Sequence, residues 1–394
     1  MPDGSLSPAR AAPVPTTPPP IRAVAFFLPQ YHPTPENDAF WGTGFTEWRN
    51  VVQARPRFEG HEQPHLPADL GFYDLRVAET RAAQAAMARG AGLHGFSWYH
   101  YWFGGRRVLH RPFDAVLADP SYDFPFMLTW ANENWTRAWD GGANEVLLAQ
   151  SYSDADTIAH ARHLTPAFAD PRYIRVSGRP AFAVYNADEL PDPRRWSDLF
   201  RDTCAAEGID PYLIRVERYL DRDTRPPAAL GFDAALEFQP FSRNFRRWLS
   251  LRPDLKHHLP RRIAHRLRRE AGRFRALDTH YDMEAFVAFD ICQDAPDYTL
   301  FPGVCPSWDN SARRPKGKGI IFRNSSPALF GDWVTAKSRS FAPEGDENLL
   351  FINAWNEWAE GNHLEPCLRH KRGWLGATAR GLSNGSVAGP LAIG

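Results

Sequence analysis

The sequence has few cysteines, no long apolar run and no net charge, and each of these absences excludes a class of protein. Its four cysteines lie far apart without a C-x-x-C pair, which argues against a disulfide framework or a cysteine-ligated metal site. No run of 18 or more apolar residues is present, so no segment is a candidate for a transmembrane helix. The 46 basic residues balance the 46 acidic residues, so no overall field favours a nucleic acid as partner.

The sequence also lacks the G-x-x-x-x-G-K-[ST] loop that cradles phosphates in many nucleotide-binding proteins. Its first 21 residues are rich in proline and have no apolar core of the kind found in secretory signals. We therefore expect residues 1–21 to form a disordered tail, and we expect a cytoplasmic location. A second flexible tail is expected over residues 381–394.

Eight short apolar runs rich in β-formers alternate with helix-like stretches between these tails. Because strands that alternate with helices form parallel sheets, and because the runs are continuously apolar, we predict an α/β fold, a (β/α)8 TIM-type barrel over residues 22–380. The predicted strands are 22–32, 93–102, 124–135, 179–187, 212–219, 232–240, 301–310 and 349–358. The predicted helices include 73–90, 153–170, 195–207, 280–293 and 325–338.

Two segments interrupt this alternation. Residues 33–72 form a long first βα loop rich in proline, glycine and aromatic residues. Residues 242–275 carry twelve basic residues and form a predicted basic helical insertion. This insertion is either a solvated helical cover or a peripheral contact with a membrane surface or an anionic glycan. The sequence does not indicate an oligomeric state.

Polar and aromatic side chains recur at one end of nearly every predicted strand. Barrel enzymes carry their chemistry on the loops after the C-terminal strand ends, and aromatic rings there suit stacking on sugar rings. We therefore predict a carbohydrate-binding cleft. Its candidate substrate-binding residues are Tyr31, His32, Glu47, Trp48, Tyr99, His100, Tyr101, Trp130, Asn132, Glu133, Trp135, Glu237, Trp308, Asn310, Asn353, Asn356 and Trp358.

The last predicted strand runs into two glutamates, Glu357 and Glu360, within the stretch FINAWNEWAEG. Cleavage of a glycosidic bond needs one carboxyl group to protonate the leaving oxygen and a second group on the other side of the sugar. Two nearby carboxyls raise each other's proton affinity, so one can stay protonated near neutral pH. Glu357 and Glu360 are therefore the candidate catalytic pair, and Glu133 in the WANENW stretch is the reserve candidate.

Metal binding receives weak support from the sequence. His61 and His65 have a metal-like spacing, but Pro64 lies between them and opposes the regular helix that an H-E-x-x-H site needs. The pairs Asp154 with Asp156 and Asp221 with Asp223 are more typical of a helix cap and a polar loop. We predict no metal and no cofactor.

Six stretches in succession resemble the WbsX-like family, which is also described as glycoside hydrolase family 99-like. They are FLPQYHPTPENDAFWGTGFTEWRNV, HLPADLGFYDL, GFSWYHYWF, FMLTWANENWTRAWDG, PSWDNSAR and FINAWNEWAEGNHLEP, and the resemblance covers residues 22–378. Members of this family often occur among polysaccharide and O-antigen genes, and they were first called glycosyltransferases on that association.

The segment NEWAEG is also similar to the catalytic segment of family 99 endo-α-mannosidases, which are (β/α)8 barrels. By that resemblance Glu357 would deprotonate the sugar 2-hydroxyl, Glu360 would be the general acid and then base, and Tyr31, Tyr99 and Tyr101 would line the pocket. Residue 359 is alanine, where the mannosidases commonly have histidine, so mannose specificity is not transferred.

The resemblance implies a retaining glycoside hydrolase acting on a bacterial polysaccharide or oligosaccharide. Two alternatives stay open: a glycosyltransferase in O-antigen or surface-polysaccharide biosynthesis, and a non-catalytic glycan-binding barrel. The missing phosphate loop counts against the transferase, whereas the basic insertion counts weakly for it. The presence of both glutamates in the NEWAEG segment counts against the non-catalytic barrel.

Overall fold

A computed structural model describes residues 20–137, 142–252 and 278–386. Nine parallel strands form its main sheet, in the order β7–β6–β5–β4–β3–β2–β1–β9–β8. The strands are β1 (Arg22–Phe27), β2 (Gly95–Phe103), β3 (Phe126–Trp130), β4 (Arg179–Val184), β5 (Tyr212–Glu217), β6 (Ala234–Glu237), β7 (Leu300–Phe301), β8 (Gly303–Val304) and β9 (Leu349–Ile352).

The predicted seventh strand is split at Pro302, and this split closes the barrel. Proline has no N–H group to donate to a strand ladder, so it interrupts pairing where it occurs. On one side of Pro302, β7 pairs with β6 in parallel, and on the other side β8 pairs with β9. The two edges of the sheet thereby meet, which confirms the predicted TIM-type barrel.

The strands are buried along nearly their whole length, as their continuous apolar runs predict. In β1 the residues from Ala23 to Phe27 are at most 1% exposed, and β9 is fully buried. Burial of one phenylalanine or leucine side chain contributes about 1.5–3 kcal/mol, so the barrel wall is the principal source of stability.

In the described part of the chain, ten α-helices flank the sheet or lie in its loops. They are α1 (Pro35–Trp41), α2 (Trp48–Gln53), α3 (Ala78–Gly90), α4 (Arg111–Ala118), α5 (Asp154–Ala169), α6 (Pro193–Ala205), α7 (Arg243–Leu251), α8 (Met283–Asp290), α9 (Pro327–Ser340) and α10 (Gly373–Gly385). Several begin at the signals that the sequence shows, since Ser153, Asp192 and Ser326 each accept a backbone N–H as N-cap.

Short elements complete the loops. Antiparallel pairs join Arg106–Val108 to β2, Arg175–Val176 to β4, Trp135–Arg137 to Gly142–Leu148, and Asn356–Glu357 to Asn362–His363. A parallel pair joins Thr279–Asp282 to Ile320–Arg323. Turns of 3₁₀ helix occupy Ala187–Glu189, Pro227–Leu230, Asn310–Arg313 and Trp358–Glu360.

Two predicted segments differ from their description in the sequence, and a third, the basic insertion, is described only in part. The long loop 33–72 contains two short helices, α1 and α2. The basic insertion 242–275 begins with α7, and its residues 253–275 lie outside the described part of the chain. Helix α10 extends to Gly385, five residues past the predicted end of the barrel at 380, because it packs tightly along α9 through Gly381 and Gly385.

Two short glycine patterns match the sequences of known functional motifs, but they lie in the wrong structural context to serve as those motifs. Residues 90–95 read G-x-G-x-x-G, but they connect the end of α3 to the start of β2, whereas a dinucleotide site runs from a strand into a helix. Residues 381–385 read G-x-S-x-G, but they lie inside α10 rather than at a strand-to-helix turn. Among the described helices, none is long and apolar enough to cross a membrane.

Candidate active site

A cavity of about 430 Å³ lies at the C-terminal ends of the barrel strands. Residues that directly follow β1, β3, β4 and β6 contribute to its wall, and Glu357 and Glu360 both line it. This is the end of the barrel at which (β/α)8 enzymes carry their active sites.

A tight turn after β9 places the two glutamates in this cavity. The strand Asn356–Glu357 pairs with Asn362–His363, and the connection is the 3₁₀ turn Trp358–Glu360 followed by Gly361. Gly361 has a φ of +58°, which glycine adopts without steric cost. The turn folds Glu360 back toward Glu357, so that both carboxyl groups reach one guanidinium group.

That guanidinium belongs to Arg313, at the end of the 3₁₀ turn after β8. Its Nη1 lies 3.2 Å from Oε1 of Glu357 and 3.0 Å from Oε1 of Glu47, and its Nη2 contacts Oε1 of Glu360. All four side chains are at most 14% exposed. Three carboxyl groups thus share one cation, which leaves an excess of negative charge at the floor of the cavity when all are ionised.

The environment of Glu357 raises its proton affinity. Burial raises the pKa of Glu357 well above the ordinary value, the Arg313 guanidinium opposes this rise, and the nearby Glu360 and Glu47 add to it. Oε1 of Glu357 accepts no hydrogen bond from any described residue. Glu357 is therefore a strongly basic carboxyl that lines the cavity and is held by its ion pair with Arg313.

We expect Gly361→Ala to disrupt the turn that carries Glu357 and Glu360. A left-handed conformation costs a residue with a side chain about 1–2 kcal/mol, and a Cβ at this position would lie 3.2 Å from both Asp309 Cβ and His65 Cε1. Chemical denaturation and kcat/KM would measure the effect. Gly345→Ala is the matched control, because Gly345 has a φ of +55° and a Cβ added there would meet no atom within 4 Å. Equal turnover in both variants would contradict this expectation.

Seven of the predicted substrate-binding residues line the cavity with the acid pair. They are Tyr99, Tyr101, Glu133, Trp135, Trp308, Asn310 and Asn353. Some are already engaged: Glu133 pairs with Arg218 at 2.7 Å and accepts from Asn186 at 2.7 Å. Glu133 is thus held by two partners at the cavity wall, whereas Glu357 and Glu360 lie together at the floor.

Five predicted residues lie directly behind this lining. Tyr31 Oη accepts a hydrogen bond from the backbone of Trp358, and Asn356 bonds both backbone groups of Leu28. Trp48 packs against Tyr31 and Trp358, and Glu47 is fully buried against Arg313. The prediction of direct substrate contact is corrected for these residues, because they support the turn that carries Glu357 and Glu360 from its buried side.

His100 and Trp130 point away from the cavity. Alternate residues of a strand face opposite sides, so Tyr99 and Tyr101 face inward and His100 faces the helices. His100 Nε2 lies 2.9 Å from Nε2 of His160 on α5, and Trp130 stacks on Trp196 of α6. Both predicted substrate contacts are corrected for this reason.

His32, Asn132 and Glu237 also lie outside the cavity lining. His32 is fully buried, and burial lowers its pKa to about 4. Asn132 joins two loops by bonding the backbone N–H and C=O of Asn186. Glu237 accepts from Lys337 of α9 at 2.8 Å. These three predicted substrate contacts are corrected, because none of the three side chains lines the cavity.

We expect Lys337→Met to destabilise the fold strongly. The ammonium group is buried between Glu237 and Asp290, at 2.8 and 3.0 Å. Removing one partner of a buried ion pair costs about 3–5 kcal/mol, since the remaining charges lose their compensation. Denaturant unfolding would measure this loss. Lys318→Met, at an exposed lysine, should change the free energy of unfolding little, and a similar change in both variants would refute the expectation.

Sequence reasoning missed several side chains of the site. Arg313, Arg218, Tyr185, Phe238 and Phe241 line the cavity. Glu365 lies behind Trp358 and accepts from Tyr73, Gln84 and Trp358. Burial raises the pKa of Glu365 to about 7. The sequence did contain a signal for Arg313. A pair of buried carboxyls needs a nearby cation, and Arg313 ends the stretch PSWDNSAR, which follows a strand end.

The histidine and aspartate pairs weighed as metal ligands have other contacts. His61 Nε2 lies 2.6 Å from Asp309, and His65 Nδ1 lies 3.1 Å from His363. Ser153 caps the helix that carries Asp154 and Asp156, while Asp221 pairs with Arg218. Across residues 20–137, 142–252 and 278–386, no group of three or more such side chains is arranged to hold a metal.

A family model described as Glycosyltransferase WbsX matches residues 23–378 of the chain. Two curated proteins, both called "Uncharacterized protein WxcX", come from Xanthomonas campestris pv. campestris strains B100 and ATCC 33913. Each is 41% identical over 372 residues, which cover 92% of this chain and 50% of the relative. The chain thus spans about half the length of these curated relatives.

Solved structures share the fold at low sequence identity. A GH99 endo-α-mannosidase from Bacteroides thetaiotaomicron, in complex with Bis-Tris propane, matches with a TM-score of 0.56 and 14% identity, over 92% of this chain and 97% of that one. A structure called "Glycoside hydrolase-like protein" matches with a TM-score of 0.57 and 14% identity, over 95% and 97%. The barrel predicted from the alternating strands and helices is confirmed by these neighbours.

Proposed function

The chain belongs to the family whose model is described as Glycosyltransferase WbsX, and we propose that this member is a glycosidase. It would cleave a bacterial polysaccharide or oligosaccharide with retention of the anomeric configuration. One observation carries the proposal: Glu357 and Glu360 line the same cavity at the catalytic end of the barrel and contact one guanidinium group. The GH99-like fold suggests the same class of activity.

In the first proposed step, Glu357 takes the proton of the sugar 2-hydroxyl. The oxygen O2 then attacks the anomeric carbon, and the bond from that carbon to the glycosidic oxygen breaks. Glu360 donates its proton to the departing oxygen. A base with a raised pKa suits a weakly acidic hydroxyl, and Glu357 lines the cavity in which the sugar would bind.

In the second step, water attacks the anomeric carbon of the 1,2-anhydro sugar. Glu360, now ionised, takes a proton from that water, and O2 recovers a proton from Glu357 as its bond to the anomeric carbon breaks. Two displacements at one carbon give net retention, and both glutamates return to their starting states. No covalent bond to the protein forms at either step.

The rest of the cavity suits a carbohydrate ligand. Aromatic rings of Tyr99, Tyr101, Trp135 and Trp308 face it together with the amides of Asn310 and Asn353. Flat rings pack against the apolar faces of sugars, while amide groups bond their hydroxyls. These features support binding of a glycan but do not select one sugar.

A glycosyltransferase is the second candidate, and the name of the matching family favours it. Such an enzyme would bind a nucleotide sugar or a lipid-linked sugar. Thermal-shift titration with nucleotide sugars separates the two candidates, because only the transferase should gain stability from a donor at micromolar to millimolar concentration. A non-catalytic glycan-binding barrel would bind glycan and never cleave it.

The test of the proposal is product analysis by mass spectrometry in water enriched in heavy oxygen. The protein would be incubated with the surface polysaccharide of its source organism, beside Glu360→Gln. Heavy oxygen in new reducing ends, absent from the variant, is the expected result. If the polymer stays intact and a nucleotide sugar stabilises the protein against thermal unfolding, the transferase proposal would replace the hydrolase proposal.

A further inference from the structure

Three segments that are distant in sequence meet at Arg313. Glu47 comes from the long loop after β1, Arg313 from the turn after β8, and Glu357 and Glu360 from the turn after β9. Nη1 of Arg313 lies 3.0 Å from Glu47 and 3.2 Å from Glu357, while Nη2 contacts Glu360. Both glutamates of the catalytic pair therefore share this one guanidinium.

The backbone that carries Arg313 is fixed from two sides. Asp309 begins its 3₁₀ turn by accepting from Ser311 N–H at 2.9 Å, and it also accepts from Gln63 and contacts His61 in the long first loop. Its own N–H donates to the carbonyl of Glu360 at 2.6 Å. Burial raises the pKa of Asp309, but hydrogen bonds from His61, Ser311 and Gln63 outweigh burial and hold it at about 2. Asp309 thus remains an anionic anchor.

Arg313 is the one described hydrogen-bond donor to the side chain of Glu47. Glu47 is fully buried, it does not line the cavity, and Arg313 donates to its Oε1 while its Oε2 has no hydrogen-bond partner among the described residues. Burial raises the pKa of Glu47, and Arg313 opposes this rise. A buried carboxyl with one partner is costly to maintain, which points to a role in holding that partner.

We propose that Arg313 is a positioning residue that fixes both catalytic carboxyls and sets which of them carries the proton, and that Glu47 controls this action by holding the guanidinium. The inference rests on the proposed function for its catalytic meaning. Arg313 donates two N–H groups in a rigid planar fork, so one side chain can fix two carboxyls at once.

The charges around Glu357 predict opposite effects for the two residues. The groups that face it are Arg313, Glu360, Glu47 and the hydroxyls of Tyr31, Tyr99 and Tyr101. Arg313 lowers the pKa of Glu357, so its loss should raise that pKa further. Glu47 raises it, so Glu47→Gln should lower it.

The test compares pH profiles of kcat/KM for wild type, Arg313→Met, Arg313→Lys and Glu47→Gln, with Arg194→Met on the exposed surface of α6 as control. Because Glu357 must be ionised to act as base, the acidic limb should move to higher pH in Arg313→Met and to lower pH in Glu47→Gln. The optimum rate of Arg313→Met should fall about 10²-fold, since small misplacements of catalytic groups have effects of that size.

Arg313→Lys keeps the positive charge but loses the planar pair of N–H groups. The acidic limb of its pH profile should therefore stay near that of wild type, while its rate falls. Added guanidinium ion should partly restore Arg313→Ala. The proposal would be overturned if the acidic limbs of the pH profiles do not move, or if they move in the same direction in Arg313→Met and Glu47→Gln. This holds even if both variants are slow.

A second measurement separates this proposal from the proposed function. Carbon NMR of protein labelled at the glutamate carboxyls would follow the titration of Glu357, assigned with Glu357→Gln, in the absence of substrate. Opposite shifts in the two variants would support the positioning role even if no glycan is cleaved. Cleavage by wild type with an unshifted Glu357 would overturn the positioning role and leave the hydrolase intact.

Discussion

Glu360→Gln should lower kcat/KM by about 10²- to 10⁴-fold, which is the range that a general acid contributes. The amide keeps the shape of the side chain but has no proton to give to the departing oxygen. The fold should persist, because Arg313 keeps Glu47 and Glu357 as partners after the substitution. Initial rates of reducing-end release from the polysaccharide would measure the loss.

The control for this variant is Glu59→Gln, at an exposed position of the long first loop. It removes the same charge without touching the cavity, so its rate should equal that of wild type. Substrates with a more acidic leaving group need less help from an acid, so Glu360→Gln should recover part of its rate on an activated aryl glycoside. Full activity of Glu360→Gln on the polymer would remove Glu360 from the mechanism.

The barrel was predictable because its signal is local. Continuously apolar runs such as that of β9 bury both faces of a strand, and the alternation with helices leaves few other folds. The polar stretch after β9 pointed to the active site for the same reason, since strand ends share one face of a barrel. The family resemblance led to the same two glutamates.

Contacts between distant loops were not predictable in this way. Arg313 meets Glu47 across 266 positions of sequence, and no local pattern marks that pair. His100 was misplaced because an aromatic strand gives no hydrophobic alternation from which to read its faces. Trp130 was misplaced because tryptophan serves equally well in a core and in a sugar-binding wall.

Glu133, the reserve candidate, illustrates how geometry separates carboxyl groups with similar sequence surroundings. By composition, its WANENW stretch resembles a catalytic loop as much as the NEWAEG stretch does. In the structure Arg218 donates to its carboxylate, and the same guanidinium stacks 4.7 Å from the ring centre of Tyr185. The ion pair and the stacked ring form a fixed wall of the cavity. Glu357, which shares its one guanidinium with two other carboxyls, is better suited to react.

A substrate without its 2-hydroxyl should be cleaved about 10⁵-fold more slowly than the natural one, because the reaction loses an intramolecular nucleophile whose effective molarity is of that order or greater. The comparison uses a 2-deoxy analogue of the sugar whose bond is cleaved, once product analysis identifies it. Loss of the 2-hydroxyl makes the anomeric centre intrinsically more reactive. A slower reaction therefore cannot arise from the chemistry of the analogue alone.

Ordinary retaining glycosidases also bond the 2-hydroxyl, so the decisive measurement is a cycle that combines the analogue with Glu357→Gln. If Glu357 acts only by deprotonating O2, each change alone should abolish most of the rate, and the two together should cost little more than either one. If Glu357 instead attacked the anomeric carbon, Glu357→Gln would add its full loss to that of the analogue. The attack by O2 also requires the leaving group on the opposite face of the ring, so hydrolysis should be confined to 1,2-trans glycosides with a free 2-hydroxyl.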